Sequence, residues 1–171
     1  MNEKKQEKVD KLYLRMAFTW SENSYALRRR VGCLIVKNNS IISDGYNGTP
    51  SGFRNVCEYI PNPDNGRSMS EDKSWEEMKE NWDEGNTLVT YPYVLHAESN
   101  AIAKLAKSNN SSEGATIYIT DEPCLDCAKM IIQSGIRKVV YSRSYRIHSG
   151  IELLKRANIE VKQITNLTEN D

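Results

Sequence analysis

Two short stretches constrain this 171-residue chain more than any others: His96-Ala97-Glu98 and Pro123-Cys124-Leu125-Asp126-Cys127. Together they spell H-x-E…P-C-x-x-C. Zinc takes Cys thiolates and His nitrogens, and a catalytic zinc keeps three protein ligands with its fourth position open to water. His96, Cys124 and Cys127 supply three ligands, and Glu98 is the one carboxylate at fixed short range from that histidine. Residues two apart on a helix point to different sides, so His96 and Glu98 converge only where a helix begins. Cys124 follows Pro123, and proline also favours a helix start. Helix N-termini carry free N–H groups and the positive end of the dipole, which stabilises thiolates. The fold must therefore bring two helix starts to one place.

Other readings of the same residues exist. A C-x-x-C pair can be a redox couple, or half of a structural zinc site completed by Cys33, Cys57 or His148. A His-x-Glu alone means little. The conjunction favours the catalytic reading: His and Glu at one helix start, and the cysteines at the next helix start after an intervening strand. His148 lies in a polar stretch and reads as a surface residue. Cys33 alternates within a strand and reads as buried.

Composition narrows the partners. Lys plus Arg and Asp plus Glu are both 23, so the net charge is zero. A protein that holds long nucleic acid by its phosphates shows a basic surplus, so a small-molecule substrate is expected. No apolar run reaches membrane-spanning length, and the first residues are not followed by a signal-peptide core. The expected compartment is the cytoplasm, with no membrane contact, where four cysteines read as ligands or buried thiols before disulfides.

Hydrophobic periodicity predicts a first helix over about residues 4–22, packed by Val9, Leu12, Tyr13, Met16, Ala17 and Trp20. Val31 to Val36 and Ile41 to Ser43, joined by Asn38-Asn39, predict a hairpin. It leads into the loop Gly45-Tyr46-Asn47-Gly48-Thr49-Pro50-Ser51-Gly52, whose glycines permit close backbone approach. The chain reads as a single domain over 1–171 with an insertion at about 58–95. That insertion holds a loop at Pro61 to Gly66 and a helix at Glu71 to Glu84 with Trp75, Met78 and Trp82 on one side. A helix then runs from His96 to about Lys107. It is followed by a strand (Ala115 to Thr120), a helix (Cys124 to Ser134, closed by Gly135) and a strand (Arg137 to Tyr141). A helix (Ile151 to Ala157) and a strand (Ile159 to Ile164) complete the order. The order predicts a three-layer α/β/α fold on a mixed five-stranded sheet with helices on both faces.

H-x-E…P-C-x-x-C is the signature of zinc nucleobase deaminases. With the Gly45–Gly52 loop and His96-Ala97-Glu98-Ser99-Asn100-Ala101-Ile102, the chain resembles the deoxycytidylate (dCMP) deaminases of the cytidine deaminase-like superfamily. The resemblance runs from about Ser24 to Ile159. It implies zinc-dependent hydrolysis of dCMP to dUMP and ammonia, feeding thymidine nucleotide synthesis. Glu98 moves protons between water, ring N3 and the leaving amino group. The resemblance also implies a homo-hexamer, activation by dCTP with Mg²⁺ and inhibition by dTTP. It places Asn47 on the deoxyribose, and Ser24, Tyr145 and Arg146 near the 5′-phosphate. Gly45, Tyr46, Asn47 and Gly48 are expected to touch an effector, with Arg28, Arg29 and Arg30 as candidates for its triphosphate. Some viral members carry a second, structural zinc, but residues 58–95 contain neither Cys nor His, so one zinc is expected. Competing readings are a deaminase of tRNA or free cytidine, disfavoured for tRNA by the zero net charge, and an inactive zinc scaffold, disfavoured by Glu98.

Overall fold

The computed structural model describes residues 2–61, 75–80, 87–145 and 147–167. Helix α1 (Glu3–Ser21) is capped at its start by the Asn2 side chain, which accepts from the Lys4 N–H. Strands β1 (Gly32–Lys37) and β2 (Ser40–Tyr46) form the expected hairpin. Asn38 and Asn39 turn it at φ 50° and 60°, a left-handed pair that matches the twist of the two strands. Short strands β3 (Glu58–Tyr59) and β4 (Val89–Thr90) pair antiparallel and bracket helix α2 (Trp75–Glu80). The remaining elements are α3 (Ala97–Leu105), β5 (Thr116–Asp121), α4 (Leu125–Gln133), β6 (Lys138–Arg143), α5 (Ser149–Arg156) and β7 (Glu160–Gln163).

The main sheet runs β2-β1-β5-β6-β7. β1 is antiparallel to both β2 and β5, whereas β5, β6 and β7 are mutually parallel. This is the mixed five-stranded sheet expected from the element order. Helices cover both faces. Cys33, Ile35, Ile117, Ile119 and Val139 point to one face and pack under α3, α4 and α5. Leu34, Val36, Tyr118 and Val140 point to the other and meet Leu14 and Ala17 of α1. Alternate residues of β1 and β5 thus feed two cores, so the central strands read as nearly unbroken apolar runs.

One expectation about α1 needs correction. The α1 stripe was expected inside, but Leu12, Met16 and Trp20 are exposed. The buried face is Asp10, Leu14, Ala17 and Ser21. The cause is a close approach: a Cβ at Gly32 would lie 2.0 Å from the Ala17 carbonyl oxygen. Only small side chains fit at that crossing, which rotates the larger ones outward. Asp10 is tolerated there because its carboxylate is fully engaged. It accepts from Gln6 (2.8 Å), the Tyr118 hydroxyl (2.8 Å), Lys138 (3.3 Å) and Lys162 (3.3 Å), whereas an unpaired buried charge costs several kcal/mol. The helix expected at Glu71 to Glu84 is described over Trp75–Glu80 alone, and Glu71, Trp82, Glu84 and the loop over 62–66 lie outside the described residues. A separate apolar cluster of Ala26, Val56, Cys57, Leu88, Tyr91 and Val94 seats the two ends of the bracketed segment.

Gly45 also departs from its expected role as a ligand-approach residue. A Cβ there would lie 2.1 Å from the Ala97 carbonyl oxygen and 2.7 Å from the Ala101 nitrogen, so the missing side chain is what seats α3 on β2. Gly45→Ala is expected to cost at least about 2 kcal/mol, since the obstacle is backbone. Gly48→Ala, which meets only the Tyr46 ring at 3.8 Å, should stay within about 0.5 kcal/mol of the parent. Urea unfolding midpoints of the two variants check the contrast.

Candidate active site

His96 is the N-cap of α3, and Cys124 is the N-cap of α4. Both have extended backbone, with φ −72° and −69°, so each side chain turns back over the first turn of its helix. Cys127 follows one turn into α4 and is buried. The His96 Nδ1 lies 3.5 Å from each of the two Sγ atoms. All three ligand atoms fall within 4.8 Å of one another. One His nitrogen and two thiol sulfurs at this spacing fit zinc with an open fourth position. Cys57 and Cys33, weighed above as completing ligands, are buried elsewhere, and His148 is not part of the cluster.

Electrostatics sharpen the pair. The Cys127 thiol and the His96 ring hold the Cys124 thiol down at about 4, and the same contact with Cys124 pushes Cys127 well up. Glu98 is buried two residues after His96, in the first turn of α3, and that burial raises its carboxyl to about 7. Gly150 lets α5 close on this corner: a Cβ there would sit 2.1 Å from the Pro123 carbonyl oxygen and 3.0 Å from the Cys124 carbonyl carbon.

A cavity of about 460 Å³ opens over the ligands, at the C-terminal end of β5. Its wall includes Arg28, Arg29, Asn47, Glu58, His96, Glu98, Asp121, Glu122, Cys124 and Tyr145. Ligands commonly bind at this end of parallel strands. The Asn47 side chain is a clamp. Its Oδ1 accepts from the Val31 N–H and the Ser24 hydroxyl (both 2.8 Å), and its Nδ2 donates to the Arg29 carbonyl (2.9 Å). One amide N–H of Asn47 remains without a partner among the described residues. The same loop is locked to the metal corner, because Gly48 and Leu95 exchange backbone hydrogen bonds of 3.1 and 2.9 Å immediately before His96.

The site residues fall into groups. Asn47 and Tyr145 share the cavity with Glu98 and the metal cluster. Ser24 does not line it: the side chain is buried behind Asn47 and donates to it. Arg146 lies outside the described residues. Tyr46 and Gly48 face a second, smaller cavity of about 180 Å³ on the other side of the loop, with Tyr25, Asn55, Asn100 and Lys104. Gly45 lines neither cavity. Arg28 and Arg29 are on the catalytic wall, whereas Arg30 is on neither.

Sequence reasoning missed Glu58, Asp121 and Glu122. Glu58 accepts from the Leu27 and Arg28 N–H groups at 3.0 and 3.4 Å. Glu122, with a fully buried side chain, accepts from the Tyr145 N–H (3.1 Å) and faces the His148 Nδ1 at 2.8 Å. The one available signal was adjacency, since Asp121 and Glu122 sit between a strand and the Pro-Cys motif. Spacing alone does not reveal what a carboxylate will accept.

A three-layer α/β/α domain that gathers one His and two Cys from adjoining helix N-termini, beside a buried Glu, defines a zinc-site protein of the cytidine deaminase-like fold. Comparison with known proteins agrees. The family model "Cytidine and deoxycytidylate deaminase zinc-binding region" matches residues 7–143. The chain is 36% identical over 172 residues to the deoxycytidylate deaminase of Enterobacteria phage T4, covering 86% of each chain. It is 34% identical to the deoxycytidylate deaminase of Saccharomyces cerevisiae, over 91% of this chain and 45% of the yeast protein. The crystal structure of dCMP deaminase from the cyanophage S-TIM5 in complex with dCMP and dUMP superposes with a TM-score of 0.72 at 38% identity, over 96% of this chain and 99% of that one. The chain belongs to the cytidine and deoxycytidylate deaminase family. No helix among the described residues is long and apolar enough to cross a membrane.

The Glu122 contacts carry a prediction. Glu122→Ala removes the acceptor that holds the Tyr145 N–H. Amide exchange at Tyr145 is expected to accelerate about tenfold or more, the loss of a charge-assisted bond, while β5 amides stay protected. Hydrogen exchange resolved by residue measures it.

Proposed function

We propose that the protein hydrolyses dCMP to dUMP and ammonia. The observation that carries the reading is the convergence of His96, Cys124 and Cys127 at two helix starts, with buried Glu98 on the wall of the same cavity. The names of the phage and yeast relatives, and the dCMP and dUMP bound by the cyanophage enzyme, support the substrate.

His96, Cys124 and Cys127 would hold the zinc, and Glu98 is left free to move protons. When bound, zinc supplies the Lewis acidity that makes water nucleophilic near neutral pH. Glu98 accepts a proton from the attacking water and passes it to ring N3, which makes C4 electrophilic. It then takes the remaining proton from the hydroxyl added at C4 and delivers it to the amino group, so the C4–N bond breaks, ammonia departs and the C4 carbonyl forms. The free N–H of Asn47 faces the sugar, and its other contacts hold it still, so no ordering cost falls on binding. Tyr145 is the described candidate for the phosphate, with Ser24 acting through Asn47; the role for Arg146 rests on the family resemblance alone.

Regulation forms the second part of the reading. Asn47 faces the catalytic cavity, while Tyr46 and Gly48 face the smaller cavity behind it. A nucleotide triphosphate in that second cavity, dCTP with Mg²⁺ or dTTP, shifts the loop that holds dCMP. Allosteric coupling of this kind is worth ~1–3 kcal/mol. Placement disfavours Arg28 and Arg30 for the triphosphate, because neither lines the second cavity. A homo-hexamer gives the exposed Leu12, Met16 and Trp20 of α1 a surface to pack against. The residues over 58–95 stand as an insertion into a single domain, and the cytoplasm as the working compartment.

Two experiments test the reading. Purified protein should carry one zinc per chain, and Glu98→Ala should keep that zinc and the fold while losing about 10²–10⁴-fold in dCMP turnover. Metal analysis and ammonia release check both, and a folded Glu98→Ala protein with near-parental turnover removes Glu98 from proton transfer. Initial rates against dCMP should be sigmoidal, become hyperbolic with dCTP and Mg²⁺, and fall with dTTP. Curves unmoved by either nucleotide rule out the regulatory part.

A further inference from the structure

The chain between α1 and β1 runs along the catalytic cavity and gives Arg28, Arg29 and Val31 to its wall. This segment wraps one side chain, that of Asn47. The Ser24 hydroxyl donates to its Oδ1 at 2.8 Å, the Val31 N–H donates to the same oxygen at 2.8 Å, and the Arg29 carbonyl accepts from its Nδ2 at 2.9 Å. The Asn47 amide is therefore only as fixed as the segment around it. That segment has no helix or strand of its own over residues 24–31, and connecting chain of this kind does not hold its own shape.

Two of its residues are tied to the main sheet. Arg29 pairs with Asp121, and the Arg143 Nη2 donates to the Arg30 carbonyl at 2.9 Å. The turn at Leu27 and Arg28 is held from another direction, by the short β3–β4 pair. Glu58 of β3 is buried and uses both carboxylate oxygens on this turn: Oε2 accepts from the Leu27 N–H at 3.0 Å and Oε1 from the Arg28 N–H at 3.4 Å. Its register partner on β4 is Thr90, whose Oγ1 accepts from the Arg28 Nη1 at 3.3 Å. One cross-strand pair thus grips Arg28 by backbone and by side chain. Beneath it, Ala26 and Leu27 pack with Val56, Cys57 and Leu88.

These contacts form a chain of dependence that runs from β3, through the Leu27–Arg28 turn and the Arg29 carbonyl, to the Asn47 amide and its free N–H. We infer that Glu58 is a positioning residue for Asn47, and that the β3–β4 base of the insertion is thereby a working part of the catalytic cavity. The inference rests on the proposed contact of Asn47 with the deoxyribose.

The test uses the zinc-loaded full chain, with calorimetric titration of deoxyuridine and dUMP. Glu58→Gln keeps the shape of the side chain but turns an NH₂ toward one of the two N–H groups, so one bond is lost; Glu58→Ala loses both. Affinity should fall by about three- to tenfold in Glu58→Ala, the worth of one neutral hydrogen bond, and by less in Glu58→Gln. The factor should be the same for both ligands, because both carry the sugar. Hydrogen exchange of the Asn47 side-chain amide, followed by NMR, should accelerate several-fold in Glu58→Gln, while the backbone amides of Gly48 and Leu95 keep their parental rates. Adding Glu58→Gln to Asn47→Ala should cost no further affinity, since residues that act as one unit are not additive. Unchanged affinity or unchanged Asn47 exchange in Glu58→Gln overturns the inference. So do a loss on dUMP alone, additive losses in the double variant, or a Glu58→Gln protein that sheds its zinc or its cooperative fold. Asn47→Ala with parental deoxyuridine affinity removes the proposed sugar contact, and the inference with it. The expected coupling in a protein that releases no ammonia from dCMP upholds Glu58 and sinks the deaminase reading instead.

Discussion

The site depends on a steric constraint: α3 can start beside the cysteines only because β2 has no side chain at position 45. The Ala97 carbonyl occupies the space a Cβ would fill at Gly45. Ala97 lies between His96 and Glu98, so the contact sets the depth of the ligand and of the proton carrier together. Gly150 plays the same part for α4, by admitting α5 against Pro123 and Cys124. Protein interiors pack with little slack, and a shift of one ångström at either crossing separates ligand atoms that now sit 3.5 Å apart.

The second ordering principle is the use of buried polar side chains to tie separate chain segments together. Asn47 joins three chain segments through one amide. Glu58 and Glu122 each hold backbone N–H groups of loops that border the cavity. Asp10 performs the same work on the opposite face, where four donors from α1, β5, β6 and β7 meet on it. Satisfied networks of this kind rigidify a structure, whereas an unpartnered member costs more than an apolar replacement. The loops at the cavity are therefore held by the scaffold before any ligand arrives, which is the condition for orienting a nucleotide cheaply.

Much of this was legible in the residues. The element order, the mixed five-stranded sheet and the helices on both faces follow from hydrophobic periodicity, because alternating and 3.6-residue patterns report local geometry directly. The hairpin turn was legible in Asn38-Asn39. The convergence of His96 with Cys124 and Cys127 was foreshadowed by donor chemistry and by Pro123, since helix starts have their own residue preferences.

The tertiary structure decided what depends on distance between remote segments. It turned Leu12, Met16 and Trp20 outward, because the close crossing of α1 over Gly32 admits only small side chains. It withdrew Ser24 from the cavity and gave it to Asn47. It separated Arg29 from Arg30, three arginines in a row being indistinguishable in sequence until Asp121 selects one. The sequence by itself determined the elements, their order and the donor set for a metal. Which carboxylate meets which cation, and which glycine makes room for which carbonyl, was decided only when strands and helices packed, because such contacts join residues tens of positions apart and leave no periodic trace along the chain.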